Sequence, residues 1–249
     1  QTKRDAERLI RLGVSENKIR ITGNMKFDIR GYSTLKDTTD LKLKLGLKPK
    51  DKFLVAGSTH PGEEEVVLTA YKKLLVSFAD LKLLIAPRHP ERTRQIENLI
   101  RLRGFDALKI SRLSENLPSL ANKRAVFILD TVGELLSIYS IADIVFVGGS
   151  LVKKGGHNIL EPAILGKPVL FGPHMFNFRD ISQLFLEQHA ALLVKDEKEL
   201  YLRIKDLLDN PSKIDTLAQK AKELLIANQG ATKKNIAIIK DLCRNISTV

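Results

Sequence analysis

Phe146-Val147-Gly148-Gly149-Ser150-Leu151-Val152-Lys153-Lys154-Gly155-Gly156-His157-Asn158-Ile159-Leu160-Glu161-Pro162-Ala163 is the stretch that decides how this chain folds. A short apolar strand runs into a loop with two Gly-Gly pairs, and the loop delivers a helix beginning near Asn158. Successive glycines let backbone N–H groups converge, and a helix start adds donors without intrahelical partners, so the spacing predicts an anion site. Glu161 falls in the first turn of that helix. A carboxylate there is unsuited to a phosphate but can accept two hydroxyl protons, as from a ribose diol. The bland alternative is a flexible loop followed by a capped helix.

The same grammar recurs on both sides of this stretch. Phe53–Ala56 reads as a strand before a helix from Glu63 to Phe78, and Leu81–Ala86 before one from Glu91 to Arg103. Val126–Leu129 precedes Gly133–Tyr139, Ile144–Val147 precedes Asn158–Leu165, and Val169–Phe171 precedes Arg179–His189. Strands apolar on both faces, separated by amphipathic helices, predict an α/β fold with a Rossmann-like parallel sheet covered on two sides. Ligands of such sheets collect at the carboxyl ends of the strands. The tail reads as extra helices alone: Leu200–Leu208, a helix start at Pro211 with a segment from Lys213 to about Ala227, and Ala231–Arg244. The head reads as a helix over Gln1–Leu12 ended by Gly13, an isolated strand Ile19-Arg20-Ile21, and a polar linker from Tyr32 to Asp40. The division implied is 1–40 as the end of a preceding domain with its linker, 41–230 as the ligand-binding domain, and 231–249 as a helix returning to brace that preceding domain.

Polar and glycine-rich residues gather where each strand stops. After the first strand comes Gly57-Ser58-Thr59-His60-Pro61-Gly62-Glu63-Glu64. Here Ser58 or Thr59 could cap the next helix with the acids complementing its positive end, or the small turn could admit a ligand. After the second comes Pro87-Arg88-His89-Pro90-Glu91-Arg92, where two prolines stiffen the backbone and the Arg88 fork suits a phosphate or carboxylate. Asp130-Thr131-Val132-Gly133-Glu134-Leu135 repeats the strand, turn and helix start, and its Gly133 would allow close approach of a base or phosphate. Four histidines (His60, His89, His157, His174) fall in these loops, but among Gly, Pro and Asn rather than further ligands, so no metal site is expected. Cys243 lies remote from the loops and no Gly-x-Ser-x-Gly elbow occurs, so nucleophilic catalysis is not expected either.

Composition narrows the setting. The 41 Lys and Arg against 29 Asp and Glu give a net charge of +12, a field that attracts nucleic acid, anionic lipid or a phosphorylated substrate. The basic residues are spread along helices and aromatics make up only 6%, so a nucleic-acid stacking surface is not expected. One cysteine rules out an internal disulfide framework and fits a reducing compartment, and no apolar run reaches the roughly 18 residues of a spanning helix.

Taken together and in order, these loops, with Gly172-Pro173-His174-Met175-Phe176-Asn177-Phe178 and the opening Gly23-Asn24-Met25-Lys26-Phe27-Asp28, resemble the C-terminal half of 3-deoxy-D-manno-oct-2-ulosonic acid (Kdo) transferases. The resemblance runs over essentially the whole chain. It implies a GT-B architecture, with this chain supplying the donor domain of an enzyme that transfers Kdo from CMP-Kdo to the lipid A precursor in lipopolysaccharide biosynthesis. It implies no metal or other cofactor, the cytoplasmic face of the inner membrane, and peripheral contact with that membrane. By position it places CMP among Pro87, Arg88 and His89, then Val132, Gly133 and Glu134, then Asn158, Ile159, Leu160 and Glu161. The residues read by themselves add Ser58 and put the phosphate on Arg88 and the backbone of Gly156, His157 and Asn158. The family's general base is a glutamate of the N-terminal domain, near a membrane-anchoring segment, so this chain is expected to bind CMP or CMP-Kdo without turnover. A UDP-sugar transferase or epimerase of the same architecture, or a non-catalytic nucleotide or RNA module, remain the alternatives.

Overall fold

The apolar runs do become parallel strands. A computed structural model describes residues 1–29, 38–113 and 124–246, and its strands are β1 (Lys52–Thr59), β2 (Leu81–Pro87), β3 (Asp106–Lys109), β4 (Ala125–Ile128), β5 (Ile144–Val147), β6 (Val169–Phe171) and β7 (Leu192–Leu193). They form one sheet in the order β3-β4-β2-β1-β5-β6-β7, every pairing parallel. Central β1 is shielded on both sides, with Val55 opposite Leu84 on β2 and Val145 on β5. From β1 the chain fills one side of the sheet, with β4 inserted between β2 and the edge strand β3, and from β5 it fills the other side, so the direction reverses between β1 and β5. Ligand crevices form at such a reversal.

The chain falls into two compact units, Gly31–Lys222 and Gln1–Arg30 with Glu223–Val249. The first holds the sheet with α2 (Thr38–Lys44), α3 (Glu63–Leu74), α4 (Thr93–Leu102), α5 (Leu135–Ile141), α6 (Leu160–Ile164), α7 (Arg179–Glu187) and α8 (Glu197–Asp209), and most of α9 (Pro211–Ala227). Helical spacing explains which faces are buried. On α3, Val67, Ala70, Tyr71 and Leu74 fall on one stripe and all are buried against β1 and β2. Each large apolar side chain so covered contributes roughly 1.5–3 kcal/mol. The second unit holds α1 (Lys3–Arg11) and α10 (Ala231–Ile246). Asp28 closes the start of α10: its carboxylate accepts the amides of Gly230 and Thr232, each at 2.6 Å.

Several expectations need correction. Ile19-Arg20-Ile21 is extended but not a strand, because no neighbouring strand among the described residues takes its backbone groups. The last three residues of the expected linker belong to α2, which an Asp40–Lys44 ion pair at 2.9 Å supports and which leads into the buried Leu45; 32–37 lie outside the described residues. Neither Ser58 nor Thr59 caps α3, whose N-cap is Gly62 at φ +96°, since three further residues intervene before the helix starts. The helix expected near Asn158 begins at Leu160 and runs for five residues. Edge strands β3 and β7 were not anticipated: one is half polar and the other is two residues long.

Candidate functional site

The reversal point of the sheet is shaped by backbone contacts that admit no side chain. A Cβ on Gly57 would lie 1.9 Å from the Tyr139 hydroxyl, and one on Gly148 would lie 2.6 Å from the Ser58 carbonyl. Between them Ser58 takes φ +55°, a left-handed conformation uncommon outside glycine. Its register irregularity at the end of β1 turns the next residues, Thr59 and His60, back over the β5 loop.

The glycine-rich loop divides into two halves with different occupants. In the first, the amides of Gly149, Ser150 and Leu151 donate to the Glu63 carboxylate at 2.7, 3.0 and 2.9 Å, and the amide of His60 adds a fourth bond at 2.9 Å. The converging N–H groups predicted for this loop therefore exist, but the protein fills them with its own buried anion. Burial pushes the Glu63 carboxyl above its ordinary pKa, against four amide bonds that favour the charged form. Glu64 is also spent, accepting from the Thr59 hydroxyl at 2.9 Å and from Arg92 at 2.8 and 3.3 Å. The acids read as complementing a helix end thus serve the loops instead.

In the second half, glycine answers first to packing. A Cβ on Gly155 would come 2.3 Å from Asn177 Nδ2 and one on Gly156 2.1 Å from Met175 Sδ, both at positive φ. The Gly156 amide donates to the Gly149 carbonyl at 2.8 Å, and the Leu160 amide to Asn158 Oδ1 at 3.1 Å. Gly156 and Leu160, both expected to meet the ligand, have no amide left to offer, and the Leu160 side chain is core. The amides of His157, Asn158 and Ile159 have no acceptor among the described residues. A helix of five residues carries little dipole, so the amides of the half-buried His157 and Asn158, with that of the buried Ile159 behind them, are the donors left for an anion rather than the helix end.

Beside them stands a cationic cluster. Arg88, at the end of β2, is exposed, and among the described residues its guanidinium has neither an ion pair nor a hydrogen bond. His60 and His157 face each other with Nε2 atoms 2.8 Å apart, and the His89 ring stands edge-on to His60 at 5.7 Å. Burial, then His60, Arg88 and His89, bring the His157 pKa down to about 4. Burial, then His89, Lys154, Arg92 and Arg88, lower that of His60. Of the four loop histidines, His174 has no contact with the other three rings. No group of three or more His, Cys, Asp or Glu able to hold a metal occurs among the described residues.

Glu161 is partly buried, and burial raises its pKa while a hydrogen bond from Asn158 Nδ2 at 3.0 Å opposes the rise. It makes no other hydrogen bond among the described residues, so one oxygen remains for a hydroxyl. Burial in the core, and after it the Glu161 charge, push the Tyr139 phenol upward. Val132, 86% exposed, and Gly133 at φ +89° form a turn before α5, and Glu134 accepts from the Thr131 hydroxyl. No hydrogen bond or ion pair among the described residues ties this turn to the other loops; they share only the carboxyl edge of the sheet. Pro87 is buried at the end of β2, paired with Thr59.

Sequence reading missed the roles of Glu63 and His60. A signal for Glu63 existed: counting back four residues from Val67 puts it on the buried stripe of α3, where an acid serving only the helix end would not need to lie.

A parallel sheet of this order, with its polar loops at the reversal point, is a Rossmann-like fold, and its solved structural neighbours class it with the domains of GT-B glycosyltransferases. A glycosyltransferase from Rickettsia africae superposes with a TM-score of 0.63 at 18% identity, over 97% of this chain and 62% of that one, which speaks for the fold alone. No protein-family model matches. The crystal structure of the C-terminal CMP-Kdo binding domain of WaaA from Acinetobacter baumannii matches with a TM-score of 0.71 at 30% identity, over 78% of this chain and 99% of that one. The 3-deoxy-D-manno-octulosonic acid transferase of Haemophilus influenzae is 36% identical over 242 residues, 96% of this chain and 56% of that protein. The chain belongs to the 3-deoxy-D-manno-octulosonic acid transferase family. It spans about half the length of the curated relatives it matches.

Proposed function

We propose that this chain carries the donor site of a transferase that moves Kdo from CMP-Kdo to the lipid A precursor, with the phosphate on Arg88 and the amides of His157, Asn158 and Ile159. One observation carries the reading. In a loop cluster where Glu63 and Glu64 occupy most donors, an exposed guanidinium and three consecutive amides stand without acceptors. Glu161 accepts from the ribose hydroxyls, and Val132 with Gly133 offers an open turn to the base. As the sugar's anomeric C–O bond breaks, the departing CMP phosphate gathers charge, and donors already aimed at that place lower the barrier. The acceptor hydroxyl gives its proton to a base in the other half of the full-length protein, as the resemblance implies and as the span of the relatives supports. The clustered histidines are accompanied by Arg88 and Lys154, whose charges repel a cation, so transfer is proposed to need no resident metal and no cofactor.

No helix among the described residues is long and apolar enough to cross a membrane. The full-length protein is proposed to work at the cytoplasmic face of the inner membrane. The +12 charge supports that placement, each basic residue near anionic lipid contributing about 1 kcal/mol. Titration calorimetry with CMP and UDP tests the donor assignment. Preference for CMP is expected, whereas preference for UDP would assign the site to another sugar nucleotide. A transfer assay with CMP-Kdo and lipid acceptor tests the division of labour: activity is expected only when the other half is supplied.

A further inference from the structure

His60 and His157 come from loops 97 residues apart in sequence and meet through their Nε2 atoms, the ring planes only 5° apart. One ring must donate and the other accept, so their tautomers are opposite. His60 is 7% exposed, and neither ring has another hydrogen bond among the described residues. Gly149 lies beneath: a Cβ there would be 2.9 Å from His157 Cδ2 and 3.4 Å from His60 Cδ2, so this glycine is what lets the rings seat against the loop.

The charged and titratable groups facing the pair come from three segments, the loop after β2, the glycine-rich loop after β5 and the start of α3. His60 faces His89, Lys154, Arg92 and Arg88; His157 faces Arg88 and His89. Arg92 is neutralised by Glu64 at 2.8 Å, and His89 has Glu91 at 3.3 Å. Glu63, bound to the His60 amide, has both oxygens committed to amides. Arg88 and Lys154 are left without a carboxylate among the described residues. An uncompensated positive surface of this kind, holding two neutral imidazoles, changes character when an anion arrives.

We infer that the His60–His157 pair is a one-proton anion receptor, which takes a single proton from solvent as an anionic group of the donor meets Arg88. This rests on the donor-site reading above. The stoichiometry follows from the geometry. The added proton goes to Nδ1 of the donating ring, which becomes an imidazolium, and its Nε2–H···Nε2 bond is kept and becomes charge-assisted. A second proton would set two N–H groups against each other and break the contact. The group received is an acid oxygen, which CMP-Kdo carries both as phosphate and as the sugar's carboxylate. The pair is thus a specificity device for acidic donors: an uncharged sugar or nucleoside leaves it neutral.

Histidine-ring NMR of the chain across pH tests this, with cytidine, CMP and Kdo as separate probes and the exposed His189 as internal control. Saturating CMP or Kdo is expected to raise the shared titration midpoint of His60 and His157 by about one unit or more, a tenfold gain in proton affinity. Cytidine is expected to leave it in place. Whichever of CMP and Kdo moves it identifies the phosphate or the carboxylate as the group received. If CMP perturbs Arg88 and Glu161 while the midpoint stays fixed, the inference is overturned and the nucleotide reading stands. If no probe changes any resonance, the donor-site reading falls and this inference with it.

Discussion

The two halves of the Gly148–Ile159 loop start from the same chemistry and end with different tenants. Gly149, Ser150 and Leu151 turn their amides on Glu63, while His157, Asn158 and Ile159 turn theirs on nothing in the described protein. Glycine is present in both halves and distinguishes neither: Gly149 makes room for His157 and Gly156 for Met175. What separates a structural nest from a ligand nest is whether the chain supplies its own carboxylate. Glu63 does so for the first half from the start of α3, and no acid does so for the second.

The comparison breaks most visibly at Glu63. Glu63→Ala leaves four amides unpaired, three of them buried, and each unmet buried donor costs roughly 1–3 kcal/mol. A loss of at least about 3 kcal/mol is therefore expected, read as a fall in the urea midpoint with the slope unchanged. Stability close to that of the parent protein would mean the first half is not held by its acid. In the second half the opposite pattern is expected. Arg88→Ala removes an exposed side chain with no partner among the described residues, so the urea midpoint stays put, while CMP affinity measured by calorimetry falls about tenfold or more for the lost charge-assisted bond.

The glycines sharpen the contrast further. Gly156→Ala must place a methyl group against Met175 at positive φ, and the overpacking and the backbone strain together are expected to cost about 2–5 kcal/mol in thermal or urea unfolding. Gly133→Ala meets nothing within 4 Å, so only the strain of its φ of +89° remains, roughly 1–2 kcal/mol. Equal penalties at the two positions would argue that Gly156 is not constrained by Met175.

How much of this was legible beforehand follows from which residues speak locally. Val145, Phe146 and Leu84 declare buried parallel strands because their runs are apolar on both faces, and the fold class followed from them. Arg88, His157, Asn158 and Glu161 stood out because polar residues after such strands fall at the sheet's carboxyl edge. What stayed hidden depends on partners far away in sequence. Whether a loop amide is available hinges on Glu63, 86 residues before Gly149, and His60 gains its meaning only opposite His157. Asp106–Lys109 was missed since an edge strand needs only one apolar face.

The smallest effect expected is a pH slope. The folded chain holds His157 at about 4 and His60 below its ordinary value, so between the unfolded value near 6.5 and those lower values the unfolded chain binds more protons. Stability therefore falls as pH drops through this window. His157→Gln, which keeps a hydrogen-bonding side chain without titrating, should flatten the slope in urea denaturation; an unchanged slope would remove the pair as its source.

Backbone amide NMR during a CMP titration tests the central claim most directly. The account predicts that the N–H resonances of His157, Asn158 and Ile159 move strongly on binding, while those of Gly149, Ser150 and Leu151 remain with Glu63 and shift little. Large shifts confined to the first set of glycine-loop amides, with His157 to Ile159 unmoved, would contradict it.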